Sequence, residues 1–170
     1  MSLQFNIVKN TIIQIVSKVI TLVLTIVVTT HITRYLGPEG YGKYTFIFTY
    51  LSFFIIFSDF GINSILVREI SKEKNNADTL IGNAIIIKLL FSAAATVFSI
   101  AIIYLLNYSN DIRIGIVIAS TTVIISAFDT LRILFQINFK MEYQAITDIV
   151  NKAIFLILIL LCVFYEKNLY

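Results

Sequence analysis

Arg34-Tyr35-Leu36-Gly37-Pro38-Glu39-Gly40-Tyr41-Gly42-Lys43-Tyr44 separates two long apolar runs, and its reading sets the reading of the whole chain. Three of the six glycines and the only proline fall within it. The backbone freedom of Gly and the fixed φ of Pro make a tight reversal the expectation. Its tyrosines and its two cations, Arg34 and Lys43, suit a headgroup layer, where amphipathic rings and long charged side chains keep their polar ends wet. The stretch reads as the turn of a membrane hairpin, with Arg34, Gly37, Pro38, Gly40 and Gly42 as its turn and gate residues.

The composition supports a membrane setting. Of 170 residues, 58% are hydrophobic and only 14% charged, more apolar side chain than one soluble core of that size hides. The net charge of +3 raises nucleic acid as a partner, but the basic residues are scattered among apolar runs with no basic arm or patch, which excludes it. A single cysteine, Cys162, can form no intrachain disulfide and sits in no metal-spacing pattern; it reads as a small apolar filler. The first apolar run is too long for a signal-peptide core and is expected to be retained.

Breaks in the apolar runs give about five spans, at residues 11–33, 45–67, 81–106, 114–135 and 149–165, each 17 to 26 residues long. These lengths cross or nearly cross the hydrocarbon as helices and are far too long for barrel strands. The fold class expected is an all-α, polytopic transmembrane helix bundle, with short connections and no soluble domain. Lysines and arginines near the span ends give a small excess on the side of the amino terminus, from Lys9, Arg68, Lys72, Lys74 and Lys140 against Arg34, Lys43, Arg113 and Lys167. That excess places the amino terminus in the cytoplasm and residues 34–44 on the outer face.

Polar residues recur inside four spans at three- and four-residue steps, the spacing of one helix face. They are Gln14, Ser17, Lys18, Thr21, Thr25 and Thr29; Thr45, Thr49, Ser52, Asp59 and Asn63; Lys88, Ser92, Thr96 and Ser99; and Thr122, Ser126, Asp129 and Gln136, with Arg132 close by. The fifth span, after Asp148, Asn151 and Lys152, is nearly unbroken aliphatic. Helix packing accounts for the Ser and Thr residues, since small hydroxyl side chains let helices approach. The charges need more, because an ionisable group in a span is costly unless it snorkels, pairs or lines water. Lysines near the cytoplasmic ends can snorkel. Asp59 has a short side chain about 12 Å along the helix from Val67, so it requires a partner or water. Asp129 and Arg132, spaced i,i+3, can neutralise each other. Under the assigned topology Lys18, Asp59, Lys88, Asp129, Arg132 and Lys152 all fall in the half nearer the cytoplasm, four cations against two acids. If they converge, they make a net-positive hydrophilic cavity that attracts an anion through its field and through charge-assisted bonds to phosphate.

Two segments, residues 34–44 and Asp59-Phe60-Gly61-Ile62-Asn63 followed by Val67-Arg68-Glu69-Ile70, together resemble the amino-terminal part of polysaccharide biosynthesis proteins. These are the Wzx-type oligosaccharide flippases of the multidrug/oligosaccharidyl-lipid/polysaccharide exporter superfamily. The Asp-Phe-Gly triplet also occurs in soluble kinases, but no nucleotide-binding pattern accompanies it here. The resemblance implies a bundle of twelve or fourteen helices in two halves, alternating access, and flipping of a polyprenyl-pyrophosphate-linked oligosaccharide from the cytoplasmic to the outer leaflet of the cytoplasmic membrane. About five spans cover only part of such a bundle, so the chain is expected to be an amino-terminal fragment. By location and chemistry the resemblance makes Lys18, Lys88, Arg132 and Lys152 candidate phosphate-contacting groups, with Asp59 and Asp129 as supporting or ion-coupling acids. It implies no catalytic residue, metal or cofactor. The partners it implies are the bilayer, the lipid-linked sugar and other polysaccharide assembly proteins.

Three other readings compete. A cation-coupled drug antiporter of the same superfamily would use Asp59 or Asp129 as its ion site, but the intramembrane cations oppose a cationic substrate. A membrane glycosyltransferase or ligase would need a catalytic loop outside the bilayer, whereas Glu69, Glu73 and Asp78 with Lys72 and Lys74 read as a solvated helix end. A non-transporting scaffold needs no site at all. His31 stands alone near the outer end of the first span and reads as an interfacial polar residue.

Overall fold

The computed structural model describes residues 2–72, 76–133 and 141–167, and the elements among them are all helical. In chain order they are α1 (Ser2–Asp59), α2 (Ile62–Lys72), α3 (Ala77–Leu105), α4 (Asn110–Ala119), α5 (Thr121–Ile125), a 3₁₀ helix (Ser126–Leu131) and α6 (Met141–Lys167). Lys74, Gln136 and Lys140, and residues 134–135 of the fourth expected span, lie outside the described residues.

Among the described residues four stretches are long and apolar enough to cross a membrane: Asn10–Lys72, Ala77–Leu105, Asn110–Leu131 and Glu142–Leu161. The sequence divides the same chain into about five, and the difference lies in the first stretch. Its 63 residues would run roughly 95 Å as one straight helix, about three times the hydrocarbon thickness. Two backbone breaks interrupt it. At Gly37 φ is 66° and ψ 177°, a region essentially closed to residues with a Cβ. Pro38 follows at once, at the start of the next helical segment, where its missing N–H would have had no intrahelical acceptor. One glycine therefore suffices for the interruption. Arg34, Gly40 and Gly42, read from the sequence as members of a tight hairpin turn, have helical backbone. The second break is Phe60-Gly61, with φ of 43° and 78°. The Phe60 N–H still donates to the Ile56 carbonyl at 3.2 Å, and the Gly61 carbonyl accepts from Ser64 and Ile65 at 3.1 and 3.2 Å, so one helix closes and the next opens without a loop.

The chain forms two compact units. One comprises the residues up to Tyr41 together with α6. There the buried Ser17 donates its Oγ–H to the Ala145 carbonyl at 3.4 Å, and Val28 and Ile32 are buried on the same helix. The hydroxyls of Thr21, Thr25, Thr30 and Thr33 each return to the carbonyl four residues back, at 2.7 to 2.9 Å. His31 does the same through Nδ1 to the Val27 carbonyl at 2.9 Å.

The other unit runs from Gly42 through the 3₁₀ helix, and α3 is its axis, in contact with α2, α4, α5 and the 3₁₀ helix. The buried face of α3 is Ile81, Ala84, Lys88, Ser92, Ala95, Ser99 and Ile103, the three- and four-residue steps of one stripe. Its chemistry changes along the helix. Ile81 and Ala84 join Leu66, Ile70 and Ile133 in one apolar cluster, while Ala95 and Ile103 join Leu51, Ile116 and Val123 in another. Lys88 and Ser92 fall between them. Small residues on this stripe let neighbours approach, but Ser92 and Ser99 bond the carbonyls of Leu89 and Thr96 on their own helix rather than a facing one. A bond that does cross runs from the Tyr50 hydroxyl to the Ser99 carbonyl at 2.7 Å.

From α4 onward Ser120, Thr121, Thr122 and Ser126 all donate to the carbonyl three residues back, and the ladder tightens into 3₁₀ geometry at Ser126. The unit is polar and aromatic at its ends. Lys43 pairs with Asp111 at 3.2 Å, Arg113 lies over the Tyr104 ring at 5.6 Å and donates to the Leu106 carbonyl, and Phe46 packs on Tyr108. At α2, Glu69 takes both Arg68 and Lys72.

Candidate functional site

The site starts with Lys88, whose position on α3 gives it a buried stripe and no route to solvent by snorkelling. The residue is 2% exposed. Its Nζ donates to Asp59 Oδ1 at 2.6 Å and to Asn63 Oδ1 at 3.4 Å. Asp59 is the last residue of α1, and Asn63 stands in the first turn of α2, so the Phe60-Gly61 break delivers both oxygens to one ammonium. Asn63 Oδ1 also accepts from the Thr130 hydroxyl at 3.2 Å, which ties in the 3₁₀ helix. Four elements thus meet at a single buried charge. A charge in this position is tolerable only with an opposite charge and further hydrogen bonds around it. The pair is asymmetric, the Lys88 side chain being 3% exposed and that of Asp59 33%.

The requirement for a partner read from Asp59 in the sequence is met by Lys88. Asp129 and Arg132 lie on either side of Thr130 in the chain. They pair with each other, Arg132 Nε to Asp129 Oδ1 at 3.4 Å, with both side chains largely exposed. Lys18 is exposed and Lys152 half-buried, and both belong to the unit built from the first part of α1 and α6. Of the six charged candidates the structure therefore brings together Asp59 with Lys88, and Asp129 with Arg132. Among the described residues no group of three His, Cys, Asp or Glu side chains gathers to hold a metal ion.

The polar stripes differ in their fate. That of α3 is buried, whereas Thr45, Thr49 and Ser52 on α1, and Thr122 and Asp129 further on, are exposed. Thr130 is a network member the sequence reading passed over. The signal was present in the spacing of Ile116, Ser120, Val123, Ala127, Thr130 and Ile133, all buried, which places Thr130 on the packed face, apart from Asp129 and Arg132.

The sequence model of the polysaccharide biosynthesis protein family matches residues 7–170, nearly the whole chain. The chain belongs to that family. The match corresponds to the amino-terminal part of its members and covers both units. Family membership supports a role in polysaccharide synthesis or export, and the helices make the chain a multi-pass membrane protein. Members of the family are generally transporters rather than enzymes. No curated protein and no solved structure gives a match.

Proposed function

We infer that this chain forms part of a transporter that flips a polyprenyl-pyrophosphate-linked oligosaccharide across the cytoplasmic membrane, by alternating access through a net-positive cavity. The observation that carries the reading is the exposure of polar and charged groups, Thr45, Thr49, Ser52, Thr122, Asp129 and Arg132, on helices otherwise dressed in apolar side chains. Hydrocarbon is a poor neighbour for such a set, and a water-filled passage is a good one. The sugars pass along hydroxyl-bearing helix faces, the lipid tail stays in the bilayer, and Lys88 and Arg132 are the cations of one unit that can hold the diphosphate, with Lys18 and Lys152 the candidates in the other. Asp59 and Asp129 balance them or couple transport to an ion. The lysine and arginine distribution supports a cytoplasmic amino terminus, which puts Arg34, Gly37, Pro38, Gly40 and Gly42 at the outer face as a gate.

Replacing Lys18, Lys88, Arg132 and Lys152 one at a time by Ala in the full-length protein tests the reading in cells. Lipid-linked sugar should accumulate in the cytoplasmic leaflet; normal surface polysaccharide in all four variants would remove these residues from the transport path.

A further inference from the structure

Lys88 is the most deeply buried of the proposed phosphate-binding cations, and it is already occupied. We propose that Asp59 is a built-in stand-in for the substrate's phosphate, holding Lys88 until a diphosphate displaces it and thereby freeing the α1–α2 break to change shape. The proposal rests on the cationic-cavity reading above, in which Lys88 is one of the phosphate-binding cations.

The pair has the geometry of an exchangeable contact. A carboxylate oxygen at 2.6 Å makes the same charge-assisted N–H···O bond that a phosphate oxygen makes. Because the Asp59 side chain is one-third exposed and that of Lys88 almost wholly buried, an anion approaching Lys88 from the exposed side meets Asp59 first. A diphosphate brings more negative charge than the single carboxylate it replaces, so the ammonium never loses its counter-charge during the exchange.

Asp59 is also poorly held by everything except Lys88. It ends α1, where the terminal carbonyls carry partial negative charge and disfavour a carboxylate. The next two residues are left-handed, Phe60 at φ 43° and Gly61 at φ 78°. A phenylalanine in that region persists only where its surroundings enforce it, and the Asp59–Lys88 bond, reaching from the residue just before the break to a different helix, is one such enforcement. Phe60 itself is 73% exposed and touches Phe91 at a ring separation of 6.5 Å, so it has room to move. Asn63 keeps the site assembled when Asp59 leaves. Its Oδ1 accepts from Lys88 and Thr130, bonds that do not use its amide N–H groups, which are donors a phosphate oxygen can take.

Binding of inorganic pyrophosphate and of geranyl pyrophosphate to the purified full-length protein in detergent, by titration calorimetry, tests the exchange. Asp59→Asn removes the competitor and should tighten both by about tenfold or more, the low end of coupling for close charge pairs; in a Lys88→Gln background the same substitution should have no effect. Unchanged or weaker binding in Asp59→Asn, with binding lost in Lys88→Gln, overturns the stand-in and leaves the cationic cavity in place. Undiminished binding in Lys88→Gln overturns both. A gain with geranyl pyrophosphate alone supports the proposal, whereas a gain with inorganic pyrophosphate alone assigns Lys88 to a free anion and overturns its part in lipid-linked transport. A second measurement needs no variant. In the wild-type protein pyrophosphate should speed hydrogen exchange of the backbone amides at residues 60–64, and slower or unchanged exchange there contradicts the release of the break.

Discussion

Removing either partner of the Asp59–Lys88 pair breaks the same 2.6 Å contact, yet the two deletions should differ in cost. Asp59→Ala leaves an ammonium on a residue 2% exposed with one amide oxygen at 3.4 Å and no carboxylate. Stranding a buried charge in this way costs about 3 kcal/mol or more. Lys88→Met puts an apolar chain of similar length into a site flanked by apolar clusters, and it leaves behind a carboxylate whose side chain is 33% exposed and within reach of water. Partial solvation brings that cost to about 1–2 kcal/mol. The double variant Asp59→Asn with Lys88→Met carries no stranded charge and should lie within about 1 kcal/mol of the Lys88→Met variant. Equilibrium unfolding in mixed detergent micelles, followed by far-ultraviolet circular dichroism, measures all three. If Lys88→Met proves as costly as Asp59→Ala, the asymmetry of burial is not what governs the pair and the reasoning fails.

Two further expectations concern the backbone at Gly37 and Gly42 and the Lys43–Asp111 pair. Gly37→Ala should destabilise the protein by about 1–3 kcal/mol, because φ 66°, ψ 177° is strained for any Cβ although no atom lies within 4 Å of one; Gly42→Ala, helical with the same open space, should be neutral or stabilising by up to about 1 kcal/mol, and the same unfolding assay separates them. Lys43→Ala removes a pair whose side chains are 35% and 75% exposed and should cost less than about 1 kcal/mol, with a loss that shrinks further in high salt; a salt-independent loss of several kcal/mol would contradict a screened surface role for Lys43.

Much of the helix content was legible because apolar runs of this length admit little else. The first two spans were separable at residues 34–44 through their Gly and Pro content, but not the detail that Gly37 alone departs from helical geometry: a glycine that breaks a helix and one that sits inside it, as Gly42 does, look alike in sequence. At Asp59 a short acidic side chain deep in an apolar run signalled a partner, by the argument that snorkelling could not serve it. Which partner was a tertiary fact, since Lys88 lies 29 residues away and its long side chain equally allowed a route to the headgroups. Thr130 was hidden by neighbours of stronger chemistry. Asp129 and Arg132 drew attention to the exposed face, while the buried face one step round was marked only by the spacing of small and apolar residues.

The proposed transport is the movement of a diphosphate-linked sugar from one leaflet to the other, held by cations of this chain. Its most direct measurement is leaflet translocation of a fluorescent polyprenyl-pyrophosphate oligosaccharide in vesicles reconstituted with the full-length protein. The wild type should move the probe, and Lys88→Gln and Arg132→Gln should each slow it by about tenfold or more, the scale of losing one charge-assisted contact to phosphate. Vesicles in which the wild type leaves the probe in its original leaflet, or in which both variants move it at the wild-type rate, would contradict the account.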